Sequence, residues 1–169
     1  MFSSLRGLRF TRQPPPPQPR PQHPLSLPDE ILPYLYLGDA RHPNATVIQA
    51  CGLTHVISIG WRPRLDPPST IPHYFYPLED VPGANIGDAV TRAAIVINEA
   101  KARDGGAKIL VHCQMGISRS AAVVAAYLMR EEKMRLAEAL QLIQRTRPEA
   151  RPNRGFISQL SRMERQIWE

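Results

Sequence analysis

From Asp29 onward the chain alternates between short apolar runs and longer stretches in which apolar residues recur every three or four positions. Ile31–Leu37 (ILPYLYL) reads as an edge strand: Pro33 lacks the amide that a central strand needs, and Gly38-Asp39 behind it is a turn pair. Asn44–Ala50 reads as a short helix stopped at Gly52, and Val56–Ile59 (VISI) as a buried strand. Tyr74–Leu78 is a further strand. Ile86, Val90, Ala93, Ala94, Ile97 and Ala100 carry a helical period that Gly105-Gly106 ends. Ile109–Val111 forms the next strand, and a helix starts near Ser118. Two more helices are marked by Leu136, Ala139, Leu140 and Ile143, and by Phe156, Leu160, Met163 and Ile167. Strands separated by helices predict an α/β fold with a mostly parallel central sheet of four to five strands, flanked by helices on both faces.

A length of 169 residues suits one domain, assigned to residues 29–169, behind an N-terminal tail, residues 1–28. Hydrophobic residues at 43% and charged residues at 21% are ordinary for a chain that builds a core. No apolar run approaches the roughly 20 residues of a membrane span. The two cysteines, Cys51 and Cys113, form no CxxC pair, which argues against a disulfide framework or a cysteine zinc site. The net charge of +6 is concentrated in the tail: Arg6, Arg9, Arg12 and Arg20 stand there without an acid, which leaves +2 for the domain. A domain so nearly neutral, without aromatic residues interleaved among its basic ones, does not read as a nucleic-acid binder.

The tail has two parts and reads as disordered. Met1 to Arg12 (MFSSLRGLRFTR) is Arg-bearing and acid-free, as a mitochondrial transit peptide is. The chain is assigned to the cytoplasm or nucleus, with a mitochondrial location through residues 1–12 as the alternative. Gln13 to Pro28 holds PPPPQPRP and should be extended polyproline II, because proline fixes φ and has no amide donor. The pairs Pro14–Pro17 and Pro16–Pro19 have the PxxP spacing that SH3 and WW domains bind. Neither Arg12 nor Arg20 stands at the customary ligand distance from them, so the segment is read as a spacer, with such a partner as the alternative.

The chemistry is concentrated in His112-Cys113-Gln114-Met115-Gly116-Ile117-Ser118-Arg119-Ser120, between an apolar strand and the Ala-rich run AAVVAAYLM. A loop that enters a helix turns several amides toward one point, and the helix dipole adds positive potential there, which makes an anion site of phosphate size. Gly116 allows the loop to curl. Cys113 falls at the bottom of that cradle, where a helix N-terminus and an arginine favour the nucleophilic thiolate. Arg119 can set its planar guanidinium against two phosphate oxygens, and Ser120 can donate to the Cys113 sulfur. Gln114, Met115, Gly116, Ile117, Ser118 and Arg119 are the expected substrate-binding residues. A lone buried cysteine is usually a small hydrophobe; Cys-x5-Arg with an intervening glycine at a strand-to-helix junction is not.

HCxxGxSRS resembles the signature of the cysteine-dependent dual-specificity phosphatases of the protein tyrosine phosphatase superfamily. The resemblance extends over about residues 29–169, from ILPYLYLGDA and GLTHVISIG through PLED to RPEARPNRGFISQL. It is also similar to the STYX-like branch, whose inactive members lack the nucleophile that this chain keeps as Cys113. The resemblance implies a metal-free and cofactor-free phosphatase acting on phosphorylated protein, on phosphotyrosine and phosphoserine or phosphothreonine alike. It implies a general acid on a loop some thirty residues before the cysteine, the place Asp80 occupies, with His112 as a structural donor and Asn153 bracing the phosphate loop. The alternative for Asn153 is a helix N-cap. Asp88, a rival acid, reads better as the N-cap of the helix after it. Arg147, Arg151 and Arg154 form a basic cluster that could meet a second phosphate or lie on a solvated face. Cys51, His55 and His73 lack the spacing of a metal site. Rival readings are a phospho-binding adaptor without turnover, or a phosphatase for phosphoinositides or RNA 5′-triphosphates.

Overall fold

The computed structural model describes residues 26–60, 71–103 and 105–168. Transit-peptide and PxxP readings fall on residues 1–25 and lie outside the described residues. Five strands form one sheet, β1 (Asp29–Leu32), β2 (Leu35–Gly38), β3 (His55–Ile59), β4 (His73–Tyr76) and β5 (Ile109–His112), in the order β1-β2-β5-β3-β4. Five helices accompany them: α1 (Ala45–Cys51), α2 (Gly87–Arg103), α3 (Arg119–Arg130), α4 (Leu136–Thr146) and α5 (Arg154–Trp168). All neighbouring strands are parallel except the β1–β2 pair.

That exception corrects one sequence-based expectation. Ile31–Leu37 is not a single edge strand but the middle of a hairpin, with Leu32 paired to Leu35 across the turn Pro33-Tyr34. A proline that cannot extend the ladder ends β1, and the edge position tolerates it. The strand expected at Tyr74–Leu78 runs instead from His73 to Tyr76 and stops before Pro77, for the same reason. α1 follows its sequence signals: the Asn44 side chain accepts from the Val47 amide, and Gly52 closes the helix in the left-handed conformation at φ 63°.

Side-chain alternation along the strands divides the core in two. Leu35, Leu37, Ile57, Ile59, Ile109 and Val111 face a large cluster built with α2, α3, α4 and α5. Tyr36, Val56 and Leu110 face the other way, onto Val47, Ile48 and Leu53 around α1. α3 is buried from Arg119 to Met129 at the centre of the four-helix layer, and its run of alanines and valines lets the neighbouring helices approach on every side.

Because β2, β3, β4 and β5 are parallel, their carboxyl ends lie along one edge of the sheet. The segments after them, starting at Asp39, Gly60, Pro77 and Cys113, therefore converge at that edge, where open α/β sheets hold their ligands.

Candidate active site

Cys113 follows β5 and is 4% exposed. Its Sγ accepts from the Gly116 amide at 3.2 Å and from Ser120 Oγ at 3.1 Å. The loop carbonyls explain how the amides are oriented. Cys113 O accepts from His112 Nδ1 at 3.3 Å, Gln114 O from the Ala40 amide at 3.2 Å, and Ile117 O from the Arg151 amide at 2.7 Å. Met115 O and Gly116 O both accept from the Arg147 guanidinium, at 3.0 and 2.7 Å. In a planar trans peptide the carbonyl and the following amide point in opposite directions. With the carbonyls of residues 113–117 held from outside, the amides of residues 114–118 face the concave side, and the one from Gly116 reaches the sulfur. Gly116 has φ 67°, and a Cβ there would lie 2.6 Å from the Gly38 carbonyl oxygen, so the curl requires glycine.

Arg147 thereby departs from the basic cluster in which the sequence placed it. It is 7% exposed and sits under the phosphate loop, paired with Asp29 at 2.7 Å and 3.7 Å from Asp39. Asp39 in turn is held below the ordinary carboxylate range: burial pushes it up, and the hydrogen bonds and charge of Arg41, with His42, overcome that. Arg151 and Arg154 do stay exposed. Replacing Arg147 by methionine would leave two loop carbonyls without donors and Asp39 with one cation fewer. We expect a loss of about 3–5 kcal/mol in stability, on the scale of breaking a buried ion pair, read by urea unfolding. A loss under about 1 kcal/mol would mean that the loop holds its shape without this support.

Arg119 opens α3 and is 7% exposed. Its Nη1 donates to the Leu78 carbonyl at 3.5 Å, and Gly60, at φ 122°, leaves the space it occupies: a Cβ there would overlap Nη1. Nε is 3.8 Å from Asp80 Oδ2, a charge contact too long for a hydrogen bond, and among the described residues it is the buried side-chain nitrogen without an acceptor. Such a donor costs stability until an oxygen arrives.

Asp80 lies on the loop after β4, with its side chain 37% exposed. Its Oδ1 accepts from Ser118 Oγ at 2.6 Å and from Asn153 Nδ2 at 2.9 Å. Ser118 therefore does not cap α3 with its side chain; its hydroxyl is committed to Asp80 and accepts from the Asn153 amide at 3.0 Å. The Asn153 side chain takes the N-cap alternative, its Oδ1 accepting from the Gly155 and Phe156 amides at the start of α5, while its Nδ2 reaches Asp80 rather than the 113–118 loop. Asp88 is not an N-cap. It lies inside the first turn of α2 and pairs with Arg92 at 2.9 Å on an exposed face, while Asn85 Oδ1 takes the Gly87 amide.

His112 is 3% exposed, and burial lowers its pKa to about 4, so it is neutral at neutral pH. Its Nδ1 lies against a carbonyl and so bears the proton, which leaves Nε2 to accept from Ser58 Oγ at 2.5 Å. Ser58 Oγ lies 2.6 Å from His73 Nε2, extending the chain across three strands. His112 acts through Cys113 O as a brace. Gln114 and Met115 are exposed on the rim of the loop, Met115 by 62%, and Ile117 is half-buried.

Sequence reasoning missed Asp29, Asp39, Gly60 and the placement of Arg147. The only local signal was the GDA after β2 and the glycine after β3. No helix among the described residues is long and apolar enough to cross a membrane.

The family model described as dual specificity phosphatase, catalytic domain, matches residues 35–166. Mouse dual specificity protein phosphatase 2 is 36% identical over 149 residues, spanning 83% of this chain and 44% of its own length. The chain therefore spans less than half the length of that curated relative. The crystal structure of human DUSP28 superimposes with a TM-score of 0.73 at 33% identity, covering 81% of this chain and 95% of that one. Human tyrosine phosphatase-like serine/threonine/tyrosine-interacting protein does so with a TM-score of 0.75 at 29% identity, covering 85% and 99%.

Proposed function

We propose that this chain, which belongs to the dual specificity phosphatase catalytic-domain family, hydrolyses phosphate monoesters on protein side chains through a covalent cysteine intermediate. The observation that carries the reading is the Cys113 sulfur held by the Gly116 amide and Ser120 Oγ at the foot of a loop whose amides face inward, beside a buried Arg119 nitrogen that still needs an acceptor. A phosphate dianion supplies that acceptor.

In the reading, the Cys113 thiolate attacks phosphorus, the ester P–O bond breaks, and Asp80 gives its proton to the departing oxygen. Arg119 and the loop amides hold the three phosphoryl oxygens as charge moves among them. Water then attacks the cysteinyl-phosphate, Asp80 takes the water's proton, and the S–P bond breaks with Ser120 donating to the leaving sulfur. Ser118 and Asn153, which both donate to Asp80, support its place over the loop.

Substrate class follows from charge at the rim. Gln114, Met115 and Ile117 carry none. Of the three arginines that could have met a second phosphate, Arg147 is consumed beneath the loop, while Arg151 and Arg154 stay exposed outside it. A site with one committed guanidinium suits a single phosphate, whereas phosphoinositides and RNA 5′-triphosphates bring further anionic groups that want further cations. Initial rates on a phosphopeptide panel, phosphoinositides and an RNA 5′-triphosphate test this. The peptides are expected to lead by at least about tenfold in kcat/KM, or about 1.4 kcal/mol of transition-state binding. Faster phosphate release from the lipid or the RNA overturns the substrate class, and no turnover of any substrate, p-nitrophenyl phosphate included, overturns the activity.

A further inference from the structure

The loop that carries Asp80 lies against α5 without packing along it continuously. Between them is a cleft of about 430 Å³, lined by Pro82, Gly83 and Asn85 from the loop and by Ser158, Arg162 and Met163 from the helix. The loop is therefore held at discrete points, and each can be named. Asn153 Nδ2 donates to Asp80 itself at 2.9 Å. Gly155 lies directly beneath Pro82, so close that a Cβ on it would overlap the Pro82 carbonyl. The Gln159 carboxamide, which also lines the cleft, spans residues 84–86: Nε2 donates to the Ala84 carbonyl at 2.7 Å, and Oε1 accepts from the Ile86 amide at 3.1 Å. Both contacts require the same orientation of the amide group, because a carbonyl only accepts and an N–H only donates. Ile86 is fully buried at the head of α2, so this clasp ties the acid loop, α2 and α5 together.

We propose that Gln159 is a positioning residue for the general acid, holding the far stem of the Asp80 loop on α5 so that the carboxyl group stays over the phosphate loop. The proposal rests on the reading of Asp80 as that acid. Gln159 touches neither the sulfur nor its loop, so its effect runs through Asp80, and within the first phosphoryl transfer it falls only on esters whose leaving oxygen needs a proton. A misplacement of about 1 Å can cost a proton transfer on the order of 10²-fold, while a leaving group that departs unprotonated is indifferent to it.

The test compares kcat/KM, which ends with the first phosphoryl transfer and so leaves out the later hydrolysis in which Asp80 is the base for every substrate, on p-nitrophenyl phosphate, whose leaving group needs little help, and on a phosphoserine peptide, whose alkoxide needs a proton. The full chain is used, as wild type and as Q159L, Q159E and D80N. Taking the ratio of the two rates within one preparation cancels any difference in folded fraction. Gln159→Leu can neither donate nor accept and is expected to lower the peptide-to-nitrophenyl ratio by about ten- to a hundredfold with little change in KM. Gln159→Glu keeps the acceptor for the Ile86 amide and should fall between. Gly155→Ala, which pushes Pro82 off the helix at a separate contact, should reproduce the pattern.

A ratio unchanged in Q159L while D80N collapses it overturns the role of Gln159 and leaves Asp80 as the acid. An equal loss on both substrates in Q159L makes Gln159 merely structural. A D80N ratio like that of the wild type overturns the reading of Asp80 itself.

Discussion

Cys113→Ser is expected to abolish turnover, by at least about 10³-fold on every phosphate ester, the scale seen when a covalent nucleophile is removed. The expectation follows from what changes and what does not. A serine hydroxyl can occupy the same place at the end of β5 and accept from the Gly116 amide and Ser120 Oγ, as the sulfur does at 3.2 and 3.1 Å. The fold, the inward-facing amides and Arg119 therefore remain. A hydroxyl is not ionised there, however, and has no base beside it: His112 points its protonated nitrogen at the Cys113 carbonyl and its other nitrogen at Ser58. The variant should consequently bind phosphopeptide as the wild type does while releasing no phosphate, measured by calorimetric binding beside a phosphate-release assay. Retention of a tenth of the wild-type rate would remove the covalent mechanism. In the wild type the same sulfur should be oxidised reversibly by peroxide, to a sulfenic acid that thiols reduce, with substrate protecting it.

What could be read from the sequence follows how far apart in the chain the interacting residues are. HCQMGISRS is contiguous, and each of its residues acts on the next few: Gly116 and Ser120 reach Cys113 from 3 and 7 positions away. The helices with a clear 3.6 period, and the buried strands between them, were legible because periodicity and turn chemistry are local. The hairpin at Pro33-Tyr34 was not, since ILPYLYL is apolar on both sides of the proline and only the pairing of Leu32 with Leu35 reveals the turn. Arg147 was placed with its neighbours Arg151 and Arg154 because composition groups charges by position. Its partners Gly116 and Asp29 lie 31 and 118 residues away, a distance no local pattern records. The same holds for Asn153 and Ser118, which meet on Asp80 across 73 and 38 residues. The family resemblance suggested Asp80; only the fold supplies the two donors that fix its carboxylate.

Those two donors shape the second expectation. Asp80→Ala should lower kcat on phosphoserine and phosphothreonine peptides by about 10²–10⁴, the usual worth of a general acid, and should lower kcat/KM, which ends with the first phosphoryl transfer, far less on p-nitrophenyl phosphate than on the peptides. The asymmetry arises because an alkoxide must be protonated as the ester bond breaks, whereas a nitrophenolate departs as the anion. Stability should change little: the side chain is 37% exposed, and Ser118 Oγ and Asn153 Nδ2 can turn to water once the carboxylate is gone. Asp88 and Asp39 do not fit the role, since Asp88 is paired with Arg92 on the exposed side of α2 and Asp39 is buried beside Arg41 and Arg147. Values of kcat/KM over a series of leaving groups decide the matter: a steeper dependence on leaving-group basicity in Asp80→Ala than in the wild type is the expected result, and parallel lines offset by a constant factor would take the proton away from Asp80.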